Sequence, residues 1–142
     1  MADIRHMVQI PASPDTIYPL VATAEGFSRW WSQDVTESGG TVSLGFFNRT
    51  TIYRLKLQVN KPNTDAEWLC DTGDEWSGTR ISFHLDAGKT GTVLGFTHAG
   101  WKSESEYFLS CNTTWGELMY RLKAVSRGND PGPLFLRNDM AY

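Results

Sequence analysis

Between Thr41 and Ala99 the apolar residues of this chain return at every second position, and beyond Ser103 they return at every third or fourth. That change of period constrains the fold more than any other feature. Alternate residues of a strand point to opposite faces, whereas a helix brings residues back to one face every 3.6 positions. The chain must therefore build a sheet and then lay one long helix against it. Over 51–59, Tyr53, Leu55, Leu57 and Val59 oppose Arg54, Lys56 and Gln58; over 79–86, Ile81, Phe83 and Leu85 oppose Arg80, Ser82, His84 and Asp86. One apolar face and one polar face mark an antiparallel sheet with a single wet side. Segments 41–47, 66–72 and 92–99 complete five consecutive strands, separated by the turn-rich connectors NKPNTD, GDEWSG and DAGKTG.

The helical segment opens with Ser103 and Glu106 at capping-box spacing and closes at Gly128, before Pro131. Phe108, Cys111, Trp115, Leu118, Met119, Leu122 and Val125 fall on one stripe roughly 120° wide. Ahead of the sheet, IRHMVQI (4–10) reads as a first strand with Ile4, His6, Val8 and Ile10 in one phase. Ser13 and Pro14 suit a helix start, and Pro19 keeps that helix short. Thr23 caps a second short helix, AEGFSRWW, with Glu25 near its positive end. The expected class is α+β in one domain, 1–142: a curved six-stranded antiparallel sheet around a long C-terminal helix, with two short helices after the first strand. In the tail, Leu134, Phe135 and Leu136 pack either on the body of the domain or in a dimer contact.

Adjacent residues on a helix point about 100° apart, so Trp30 and Trp31 cannot enter one core in the same way. A cavity offers both a place: one ring in its wall and the other at its rim. The i, i+4 spacing with Phe27 assigns the wall to Trp31 and the rim to Trp30.

Composition excludes several classes of partner. The formal charge of −3, with scattered Lys and Arg, does not suit nucleic acid. No apolar run has the length of a signal peptide or a membrane span, so the chain reads as cytoplasmic, with Cys70 and Cys111 as free thiols. The sequons at 48–50 and 112–114 then read as chance matches.

The stretches IYPLVATAEGFSRWW (17–31), EWSGTRISFHL (75–85), TVLGFTHAGW (92–101) and CNTTWGELMYRLKAVSRGNDPGP (111–133) together resemble the SRPBCC superfamily, also called START-like or helix-grip proteins. Within it, they are most similar to the bacterial group related to heat-shock chaperone ATPase activators. The resemblance implies a helix-grip fold. It also implies three kinds of activity: carriage of small ligands, cyclase or dehydratase chemistry, and contact with a chaperone. Fold alone does not choose among them.

Residue chemistry narrows the choice. His98 shares a phase with Leu94 and Phe96 and points inward. It either contacts a ligand or serves as an acid–base group, or it bonds a backbone carbonyl near Trp101 and locks the corner before the helix. Neither Cys70 nor Cys111 has the neighbours of a catalytic thiol. His6, His84 and His98 fall on different strands, which does not suit a metal site. Asp71, Asp74 and Glu75 read as a polar turn, with Glu75 as the alternative proton acceptor of a cyclase-type reaction.

The expected function is therefore binding of a small, largely apolar, aromatic or lipid-like molecule between sheet and helix, without a cofactor or metal. The candidate lining is Trp30, Trp31, Tyr53, Trp68, Trp76, Phe83, Phe96, His98, Cys111, Trp115 and Met119. The alternatives are an enzyme using His98 or Glu75, and an interaction module that meets a chaperone or a second copy of itself.

Overall fold

The computed structural model describes residues 2–139. Its elements run β1 (Ala2–Ile10), α1 (Pro14–Ala22), α2 (Ala24–Ser28), β2 (Asp34–Ser38), β3 (Thr41–Phe46), β4 (Thr51–Lys61), β5 (Asp65–Cys70), β6 (Arg80–Ala87), β7 (Thr92–Trp101) and α3 (Glu106–Ser126). All strands join one sheet in the order β1-β7-β6-β5-β4-β3-β2, antiparallel at every step. The first strand thus crosses over to pair with the last, and α3 lies near that edge.

The sheet has seven strands where alternation predicted six. The addition is β2, whose sequence DVTES carries one apolar residue and buries only Asp34 fully. No period-2 signal exists in such a strand. Gly39 and Gly40, both at positive φ, supply the tight turn that returns it onto β3.

The helices also correct the reading in two places. Helix α1 runs through Pro19 to Ala22. A proline removes one backbone donor, but burial of Ile17, Leu20 and Val21 holds the helix together regardless. The break falls at Thr23, which is extended and whose hydroxyl accepts from Gly26 N at 2.9 Å. The two helices touch at Gly26, where an added Cβ would lie 2.1 Å from Pro19 O. The cap of α3 is Ser105 rather than Ser103; its Oγ accepts from Phe108 N at 3.2 Å and donates to Glu75. The i, i+3 spacing that singled out Ser103 ignored this partner on a distant turn.

The alternating phases are otherwise as expected. Tyr53, Leu55, Ile81, Phe83, Leu85, Leu94, Phe96 and His98 are buried, as are Phe108, Trp115, Leu118, Met119, Leu122 and Val125 on the facing stripe of α3. Gly128 follows the helix, its N–H bonded to Val125 O at 3.0 Å.

Candidate functional site

Trp30 and Trp31 both enter the core, at 0% and 1% exposure. They can do so because α2 ends at Ser28 and the following residues form a turn, anchored by Trp31 N to Phe27 O at 2.8 Å. Off the helix, the 100° rule no longer separates them. The rim assignment of Trp30 is therefore wrong. Its indole N–H donates to Leu20 O at 2.9 Å, while that of Trp68 donates to Val21 O at 2.9 Å. Thr23 Oγ1 donates to Pro19 O at 2.7 Å. Three side chains thus satisfy three of the four carbonyls that a helix C-terminus leaves open, and two of these are indoles. Trp30 and Trp68 hold α1 in place.

His98 is also committed to the scaffold. It is 0% exposed. The indole N–H of Trp115 donates to its Nδ1 at 3.2 Å, since an indole can only donate. Nε2 must then carry the proton and donate to Thr79 Oγ1 at 2.8 Å, which in turn donates to Trp76 O at 2.5 Å. This relay ties α3, β7 and the turn before β6 together. Burial pushes the imidazole down to about 3, so it stays neutral. The predicted partner was a backbone carbonyl; the observed one is a threonine hydroxyl that passes the bond on to a carbonyl.

Between the end of the sheet and α3 remains a cavity of about 110 Å³. Trp31, Phe46, Tyr53, Trp76, Trp115 and Leu118 form most of its apolar wall, and Phe47 and Phe135 close one side. Tyr107, Ser110, Cys111 and Thr114 reach it from the first turns of α3, and Thr51 from β4. Trp31 sits 4.9 Å from Trp115 in ring centroids, and Tyr53 stacks on Trp76 at 3.9 Å with 10° between planes. Gly73, at φ +87°, makes that stack possible, because a Cβ there would lie 2.6 Å from Tyr53 Cε1.

Of the candidate lining, then, Trp31, Tyr53, Trp76, Cys111 and Trp115 border the cavity. Trp30, Trp68, Phe83, Phe96, His98 and Met119 do not; they fill the core, with Phe96 packed 4.4 Å from Trp115. The other lining residues lie outside the candidate set, and two of them, Tyr107 and Phe135, show why. Tyr107 precedes Cys111 and Trp115 at i, i+4, i+8 on one helix face, a signal that was available in the sequence. Phe135 had none. It reaches the cavity because Leu134 N and Phe135 N bond Trp30 O and Trp31 O at 3.2 and 3.0 Å, which straps the tail across the domain. Leu134 and Phe135 are buried within the chain, and Leu136 is exposed.

The polar groups of the cavity are neutral. The Tyr53 and Tyr107 hydroxyls bond each other. Burial raises Tyr53 far above the usual phenol range and pushes Tyr107 up to about 12, although the Tyr53 bond counters the rise at Tyr107. Burial likewise pushes the Cys111 thiol up to about 11, against the lowering effect of the Trp76 and Tyr107 donors beside it. The Trp76 N–H faces Cys111 without reaching hydrogen-bonding geometry, so among the described residues this buried donor has no acceptor. Trp101 N–H shares that condition but lies away from the cavity, against His98 and Phe108. Among the described residues no three His, Cys, Asp or Glu side chains gather where they could hold a metal. No helix among them is long and apolar enough to cross a membrane.

The chain is similar in structure to the Aha1 dimer from Colwellia psychrerythraea, solved in solution: TM-score 0.78 and 30% identity, covering 88% of this chain and 96% of that one. It is also similar to CalU16 from Micromonospora echinospora, with TM-score 0.72 and 17% identity over 92% of this chain and 68% of that one. The second likeness is one of fold. No protein-family model matches the chain, and no curated protein does.

Proposed function

We propose that this chain, which belongs to the SRPBCC superfamily and its Aha1-like group, binds a small one-ring molecule bearing one hydrogen-bond acceptor in the cavity between sheet and α3. The observation that carries this reading is Trp76, 4% exposed, which lines the cavity and whose N–H lacks an acceptor. Leaving a buried donor unmet costs about 1–3 kcal/mol, and an oxygen on a bound ring would recover it. Size restricts the class. An apolar cavity of about 150 Å³ holds benzene, so about 110 Å³ admits at most one ring and is too small for a lipid chain or a fused-ring compound. The polar groups orient the ligand without titrating near neutrality, which favours binding over acid–base chemistry. The free thiols Cys70 and Cys111 suit a reducing compartment such as the cytoplasm.

Phenol is the simplest probe. Trp31, Trp76 and Trp115 wall the cavity, so its entry should change tryptophan emission in a saturable way. A Kd of order 0.1–1 mM is expected for so few atoms. Cys111→Met, which extends a side chain into the space, should abolish the response while the fold persists. A flat titration to about 10 mM, or an unchanged response in Cys111→Met, would overturn the proposal.

A second reading is favoured by the 30% identity to a protein solved as a dimer. In it the chain acts through its surface, on a second copy or on a chaperone. Light scattering across a concentration series, and pull-down with a purified Hsp90-type chaperone, test its two forms.

A further inference from the structure

Two hollows meet at the tyrosine pair. The outer one, of about 430 Å³, is bordered by Thr50, Thr51, Gly73, Asp74 and Glu75 together with Tyr53 and Tyr107. Thr51, Tyr53 and Tyr107 belong to both walls. The contact between the two phenol hydroxyls therefore stands at the junction. The chemistry changes across it: aromatic rings within, hydroxyls and two carboxylates without.

Those carboxylates lack cations. The nearby Asp71 already faces Arg54 at 3.5 Å and Lys56 at 3.4 Å. Asp74 and Glu75 have no ion-pair partner among the described residues, and no Lys or Arg borders the outer hollow. Glu75 is held in place by the Ser105 hydroxyl, the cap of α3, so its charge is positioned at the mouth. An acidic rim alone would be an ordinary solvated turn. Here it opens onto a walled cavity with its own unmet need, the buried N–H of Trp76.

Resting on the reading that the inner cavity holds a ring, we infer that the two hollows form one site for an aryl-alkylamine: a ring bearing an oxygen acceptor, a short flexible chain and an ammonium group. The ring with its oxygen occupies the inner cavity near Trp76. The chain passes the tyrosine pair, and the ammonium lies between Asp74 and Glu75. Tyr107 is the part that yields, being 40% exposed on the first turn of α3. Tyr53 stays, stacked on Trp76.

Calorimetry with tyramine and tyrosol tests this directly, because they share the phenol and the two-carbon chain and differ in ammonium against alcohol. At pH 7 and low salt, tyramine should bind about tenfold more tightly, as expected for one partly solvated charge interaction. Asp74→Asn should reduce that advantage at least threefold with tyrosol affinity unchanged within twofold, and Glu75→Gln should nearly remove it. Asp74 is exposed and caps no helix, so its variant informs even if Glu75→Gln loosens α3. Equal affinities for tyramine and tyrosol, with phenol still bound, would refute the ammonium site and leave the ring cavity standing. Binding of phenol but neither longer compound would refute it too. Failure of all three would bring down both readings.

Discussion

Substituting His98 by glutamine should make the protein less stable at neutral pH and less dependent on pH below it. The wild-type imidazole accepts from Trp115 and donates to Thr79, and it is held at about 3 by burial against an ordinary 6.5. Glutamine keeps polar atoms but cannot reproduce both bonds in ring geometry, so at pH 7 the loss should be about 1–3 kcal/mol. The pH term follows from linkage. A lowered folded-state value means that the unfolded chain binds the proton first, so stability falls as pH drops below 6.5 and continues to fall toward 3. Each unit is worth about 1.4 kcal/mol, and by pH 5 the wild type should have lost about 2 kcal/mol through this group. His84 acts with the opposite sign: its value is raised by the Asp65 bond, so its contribution is present below 6.5 and lost as pH rises through its folded value. That contribution, and those of the carboxylates, are common to both proteins and cancel in the difference. Urea unfolding followed by tryptophan emission at pH 7 and pH 5 gives the four free energies. The gap between wild type and His98→Gln should close by about 2 kcal/mol over that range. A gap constant within about 0.5 kcal/mol would refute the buried, neutral, doubly bonded histidine.

Further outcomes follow from the packing. Trp30→Phe keeps a ring but removes the N–H from Leu20 O, and should cost about 1–3 kcal/mol in urea unfolding with phenol binding intact. A loss of phenol affinity at unchanged stability would restore Trp30 to the cavity. Trp115→Ala should cost about 3–5 kcal/mol, since it empties a buried ring site and orphans His98 Nδ1; thermal unfolding measures it. Gly73→Ala should cost about 2–3 kcal/mol, combining left-handed strain with the push on Tyr53. It should also alter near-ultraviolet dichroism from the Tyr53–Trp76 stack, and a silent variant would show that the turn can relax.

The sequence by itself determined the layers of this protein. Alternation over β4, β6 and β7 and the helical stripe of α3 report which face of each element is apolar, and burial of those faces against one another admits few arrangements. The same local signals carried Thr23 as a cap and Gly128 as a stop, because such bonds lie within a few residues. Strand β2 escaped because its pairing rests on a glycine turn and a neighbour's backbone, neither of which writes a hydrophobic period. The candidate site was legible only in part. Side-chain type and inward phase picked out Trp31, Tyr53, Trp76, Cys111 and Trp115, but they picked out Phe83, Phe96 and Met119 equally well. Lining and filling residues share one composition and one phase; what separates them is whether another ring arrives to occupy the space. That depended on contacts between distant parts of the chain: Trp30 and Trp68 drawn to the carbonyls of α1, His98 caught between Trp115 and Thr79, and the tail carried over to Phe46. Periodicity records the direction of a side chain and holds no information on its partner, so the cavity and its acidic mouth came into being only with the tertiary fold.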